Sequence, residues 1–235
     1  SDVASVSLLT QSAQEAAPTG RESHPISQLI ETLRSANGPP AQASASSSVL
    51  FLIQQLDEST VVLRFFSGAA DLVIGGDAQG GVQVSGAVNG QDFDAISLSG
   101  VENLTIETAG ESDRITLLLD QLASVAARGI FLHSGAGDDR LILVGESAAA
   151  LPLLDWDGGV GADKLLGPAG DATWFITGQD AGSVSNLSFA GVEHLEGAPD
   201  NQDTFVFSAA ATLSGGLDGG AGGFDSLVLD GGSFA

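Results

Sequence analysis

The chain has 235 residues, with 7 Lys and Arg against 30 Asp and Glu, and a net charge of −23. That balance excludes sequence-independent nucleic-acid binding, which needs Lys and Arg against phosphate. It also disfavours anionic membrane surfaces and polyanionic glycans as main partners. Cys, Met and Tyr are absent, which removes disulfides, thiol catalysis and thiolate metal sites, while the 43% apolar share can support a core. No apolar run approaches the length of a membrane span, so no membrane insertion is expected.

Residues 1–48 form a polar, Ala- and Ser-rich opening with one helical candidate. Ile26, Leu29, Ile30 and Leu33 recur at helical spacing, and Asn37-Gly38-Pro39-Pro40 stops the pattern. This helix reads as a docking or capping element, and 41–48 as a flexible linker.

From Val49 the texture changes to short β-rich runs separated by Gly and Asp, and 49–235 reads as one β domain. Gly100-Val101-Glu102-Asn103-Leu104 returns as Gly191-Val192-Glu193-His194-Leu195. Asp71-Leu72-Val73-Ile74-Gly75 is echoed at 163–167, Asp113-Arg114-Ile115-Thr116-Leu117 at 203–207, and 134–143 at 219–229. All four matches fall about 90 residues apart in the same order, which predicts two long repeats. Within them an Asp precedes an alternating apolar run at Asp71, Asp94, Asp113, Asp139, Asp163, Asp203 and Asp225. With Asn186 filling one gap, the spacing averages about 22 residues.

A short period with strand alternation predicts a right-handed parallel β-helix of about 22 residues per coil, in which stacked coils bury one another's apolar faces. Ile115/Leu117, Leu141/Leu143, Phe205/Phe207 and Leu227/Leu229 are expected to point inward. A β-sandwich is the rival, since its strands also recur at short intervals. An Asp before a strand has a purely structural reading too, because it bonds the backbone of its own turn. That reading applies to Asp71, Asp94, Asp113 and Asp203, which lack a Gly-rich lead.

Gly158-Gly159-Val160-Gly161-Ala162-Asp163-Lys164-Leu165-Leu166 matches the nonapeptide G-G-x-G-x-D-x-U-x at every fixed position. The run 134–142 matches with Ser134 for the first Gly, and 219–228 matches with one inserted residue. This resembles the RTX family of secreted bacterial calcium-binding proteins, and the wider pattern looks like repeats in very large bacterial surface proteins. The resemblance implies Ca²⁺ between the turn carrying Gly135, Gly137, Asp138 and Asp139 and the turn carrying Gly159, Gly161 and Asp163. Asp225 would belong to an incomplete site. Ca²⁺ takes six to eight oxygens, which Asp carboxylates and Gly-exposed carbonyls can supply.

Asp155 and Asp157 flank Trp156 and share a strand face, the type of carboxylate pair used in glycoside hydrolysis; a capped turn is the plainer reading. His24, His133 and His194 make no metal-ligand spacing. The expectation is a non-enzymatic structural or adhesive β-solenoid segment of a large secreted, cell-surface protein, possessing calcium as a stiffener. Its partners would be further repeats of the same parent chain and a cell-surface or matrix ligand. The alternative is a carbohydrate-active enzyme or a carbohydrate-binding accessory module on a β-helix.

Overall fold

The computed structural model describes residues 5–9, 51–66, 68–146 and 150–231. The helix expected over 26–33 and the linker at 41–48 lie outside them. Among the described residues the fold is all-β, with one single-turn helix. In chain order the strands are β1 (Ser5–Leu9), β2 (Phe51–Gln55), β3 (Thr60–Phe65), β4 (Ala70–Gly76), β5 (Val82–Val88), β6 (Gln91–Leu98), β7 (Asn103–Glu107) and β8 (Arg114–Leu118). The helix α1 (Leu119–Leu122) follows, then β9 (Gly129–His133), β10 (Arg140–Val144), β11 (Leu153–Asp157), β12 (Lys164–Leu166), β13 (Thr173–Gly178), β14 (Ala181–Val184) and β15 (Leu187–Ala190). The last four are β16 (His194–Glu196), β17 (Thr204–Ser208), β18 (Leu217–Asp218) and β19 (Ser226–Asp230).

The strands form two mixed sheets. The larger runs β1-β2-β3-β7-β9-β11-β15-β14-β13-β17-β19 and the smaller β18-β16-β12-β10-β8-β4-β5-β6. From β7 to β12 successive strands fall alternately in the larger and the smaller sheet, and each pairs in parallel with its counterpart one circuit away. Antiparallel meanders interrupt this pattern. β2 and β3 form one with β1, β4 leads into β5 and β6, and β13 and β14 lead into β15. The strand at Ser5–Leu9 falls in the segment that its composition marks as polar, yet it pairs with Phe51–Gln55.

Strict alternation builds the core. In the larger sheet Val61, Leu104, Ile130, Leu154 and Leu187 stand in register, as do Leu63, Ile106, Leu132, Trp156 and Phe189. In the smaller sheet Leu72, Ile115, Leu141, Leu165 and Leu195 form the facing column. All of these side chains are buried. Farther along the larger sheet Trp174 stacks on Phe205 with ring centroids 5.2 Å apart, and Phe51, Phe65 and Phe93 pack together near β1. Two successive side chains cannot share a face, so each apolar column leaves a polar one outside.

The structure revises the expected period. Asp113, Asp139 and Asp163 each stand one circuit apart, but the steps are 26 and 24 residues, and the next is 30. The step to the preceding circuit is 43 because β5 and β6 are inserted there. Asp94 therefore starts no circuit: it lies exposed within β6. Asp71 is the second residue of β4 and pairs with Arg114, so Ala70 holds the position matching Asp113. Three of the four sequence matches about 90 residues apart fall on opposite sheets: β7, β8 and β10 correspond to β16, β17 and β19, and each pair divides between the two, whereas β4 and β12 share the smaller sheet. Both sheets are entered through a turn followed by an inward apolar strand, so one local pattern serves either side.

Leu141 is fully buried between Ile115 and Leu165. Leu141→Ala is expected to cost about 2–5 kcal/mol in denaturant unfolding, whereas Leu153→Ala, at a position 53% exposed, should cost under about 0.5 kcal/mol. Equal losses would contradict the assigned core.

Candidate functional site

Where the chain enters the smaller sheet, acidic side chains stand one above another. The Asp113 carboxylate accepts the Ala70 amide at 2.6 Å. Asp139 accepts the Asp113 amide at 2.7 Å, and Asp163 accepts the Asp139 amide at 2.8 Å. Glu193 closes the series by accepting the Asp163 amide at 2.8 Å. Each carboxylate thus caps an amide of the preceding circuit, always in the same direction. A second, shorter series runs along the larger sheet. There Asp203 accepts the Ala172 amide at 3.0 Å, and Asp225 accepts the Asp203 amide at 2.9 Å.

The turns leading into the first series are stacked as closely. The Val160 amide donates to the Gly135 carbonyl at 2.8 Å, and the Gly137 amide donates to the Val160 carbonyl at 2.9 Å. A side chain at Gly159 (φ 95°) would strike the Gly135 carbonyl, and one at Gly161 would strike the Gly137 carbonyl. Close backbone approach between circuits, beyond φ alone, therefore explains the Gly-x-Gly spacing. Asp138 is exposed and accepts the Ala162 amide at 3.0 Å. Behind the turn the Trp156 indole donates to the Ser134 hydroxyl at 2.9 Å, and the Thr108 hydroxyl donates to the Ser134 carbonyl at 3.1 Å.

Asp113, Asp139, Asp163 and Asp203 are all buried. In Asp113, Asp139 and Asp163 the second oxygen, Oδ2, is enclosed without a hydrogen-bond partner. Burial dominates their ionisation, since removing water penalises the charged form. Asp139 is pushed up to about 7; the Asp113 amide opposes this, and the carboxylates of Asp113, Asp163 and Asp138 add to it. Asp163 is pushed up to about 6, again mainly by burial. Asp113 and Asp203 are raised for the same first reason.

The turns expected to hold calcium are adjacent, and Asp139 and Asp163 are neighbours along one column. Asp225 stands apart from them in the second series, exposed just before β19. One oxygen each of Asp138, Asp139 and Asp163 is committed to an amide, which leaves an ion the enclosed Oδ2 atoms of Asp139 and Asp163. Among the described residues no group of three or more His, Asp or Glu side chains gathers as a metal site. Asp155 and Asp157 lie on the outer side of β11, beside Phe131 and His133 of β9. The His194 Nδ1 accepts the Gly216 amide at 3.0 Å. The sequence pattern of Asp residues does not include Glu193, which nevertheless stands before β16 at the position matching Asp163 before β12. No family model, curated protein or solved structure matches the chain.

The raised carboxyls fix a pH dependence. The folded chain holds protons that the unfolded chain releases near the ordinary Asp value of 3.8, up to about 7 for Asp139. Stability is therefore greatest below the lower value, falls as pH rises through this window, and levels off above it. The melting temperature is expected to drop between pH 4.5 and 8, and Asp139→Asn, which keeps an amide acceptor without the charge, should flatten the drop. A melting temperature that rises across this window would refute the assignment.

Proposed function

We propose that the chain is a structural and adhesive segment, a right-handed parallel β-helix of a secreted cell-surface protein, in which stacked circuits space or present neighbouring parts. The observation that carries this reading is the use of the buried polar side chains. Among the described residues, the buried polar or charged ones are Thr108, Asp113, Ser134, Asp139, Asp163, Asp180, Asn201 and Asp203. Each of them bonds a segment at least 22 residues away. Polar groups that a catalytic site would aim at substrate are here committed to holding one circuit on the next. Further circuits of the same kind and a cell-surface or matrix ligand are the partners this role calls for.

Such a stack is quasi-one-dimensional, so it tolerates an added unit in register. Residues 114–139 make one full circuit, since Arg114 pairs with Arg140. Duplicating them after Asp139 is expected to give a folded protein with one cooperative melt at no lower temperature, longer by about 4.8 Å. Loss of cooperative folding would count against the β-helix.

Calcium enters the proposal as a stiffener through the Oδ2 atoms of Asp139 and Asp163, which have no protein partner. An ion bound only by the folded chain would raise stability by about 2.7 kcal/mol at a hundredfold excess over Kd. Millimolar Ca²⁺ should then raise the melting temperature more than Mg²⁺ at equal ionic strength, and Asp163→Asn should remove the difference. Equal shifts with both ions would leave a hydrogen-bonded ladder without metal.

A further inference from the structure

Five Lys and Arg residues lie among the described residues, and their placement is uneven. Arg64 and Arg128 are paired with Glu107 and Glu102. The other three, Arg114, Arg140 and Lys164, are direct cross-strand neighbours on β8, β10 and β12, and His194 on β16 continues the row. Like charges set opposite each other in adjacent strands are destabilising. In a chain of 30 acids and 7 bases, folding alone gives no reason for such a row.

The row does not neutralise the buried carboxylates. Ile115, Leu141 and Leu165 face the core, so by alternation Arg114, Arg140 and Lys164 project from the opposite face. The carboxylates of Asp113, Asp139 and Asp163 are bonded instead to backbone amides. Lys164 is held by Glu196, whereas Arg114 and Arg140 take part in no ion pair among the described residues; Arg140 is half-buried with its Nε enclosed, which leaves only its two terminal nitrogens to a ligand. His194 accepts an amide on Nδ1, which leaves Nε2 as its donor.

We infer that the outer face of the smaller sheet, along Arg114, Arg140, Lys164 and His194, binds a linear uronate polysaccharide. Four positions at the strand spacing extend about 14 Å across the strands, so the ligand is extended and lies along the stack. Two unpaired guanidiniums one strand apart present forked donors that match carboxylates. β8, β10 and β12 are paired on both edges, so a peptide cannot add as a strand, and recognition rests on side chains alone. A stiff glycan loses less freedom on binding than an unfolded acidic peptide. Nucleic acid needs many more phosphate contacts than this row offers. The total charge disfavours polyanions over the surface as a whole, and the row is a local exception bounded by Asp71, the partner of Arg114 on β4.

The test is calorimetric titration with hexagalacturonate, with cellohexaose and hexaglutamate as the neutral and peptide controls. Hexagalacturonate alone is expected to bind, more weakly as NaCl is raised. Arg114→Ala/Arg140→Ala should lose at least about tenfold in affinity at an unchanged melting temperature. If that variant does not fold, Arg114→Lys/Arg140→Lys decides, since it keeps the charge and removes the fork, and weaker binding is again expected. No binding of hexagalacturonate, binding untouched by the deciding substitution, or equal binding of hexaglutamate overturns the inference.

Discussion

The fold depends on a carboxylate reaching across one circuit to the amide of the one before. Stacked strands satisfy their own ladders, but an amide at the entrance to a strand, in most cases that of the residue just before it, lies beyond the ladder and needs an acceptor. Asp113, Asp139, Asp163 and Glu193 supply it along the smaller sheet, and Asp203 and Asp225 along the larger. The bond locks register as well as satisfying the amide. A strand slipped by one residue would put the apolar column outside and leave both the amide and the carboxylate unpaired.

This device is costly. Buried carboxylates lose hydration, and those of one column repel each other, which is why Asp139 and Asp163 hold their protons so far above the usual range. Apolar columns on both sheets offset the cost, since each fully buried Leu or Ile contributes about 1.5–3 kcal/mol. Glycine at 159 and 161 lets the turns close to contact distance, and that brings each Asp within reach of the next amide. The net charge of −23 therefore counts Asp139, whose carboxyl, pushed up to about 7, is half-protonated at neutral pH.

Much of this was legible in the chain. Period-two alternation marks the inward residues except on β19, where Leu227 and Leu229, expected inside, are exposed because that strand is the edge of the larger sheet; the Gly-x-Gly-x-Asp spacing marks the turns at 135–139 and 159–163. What the sequence hides is which residues share a column, because register between circuits depends on what is inserted between them. Asp94 has the local look of a strand opener but sits in an inserted hairpin. Ala70 and Ala172 hold ladder positions with no acid at all, and Glu193 holds one with a longer side chain. Asp225 shares the motif of Asp139 yet enters the other sheet. The cationic row is equally invisible in one dimension, since Arg114, Arg140 and Lys164 are separated by a whole circuit and meet only through pairing.

The most direct measurement of the central bond is amide hydrogen exchange at Asp113, whose acceptor among the described residues is the Asp139 carboxylate. The account predicts strong protection in the unmodified chain, retained protection in Asp139→Asn and fast exchange in Asp139→Ala, with the amides within β10 still protected in both variants. An Asp113 amide that exchanges freely in the unmodified chain, or stays equally protected in Asp139→Ala, would contradict it.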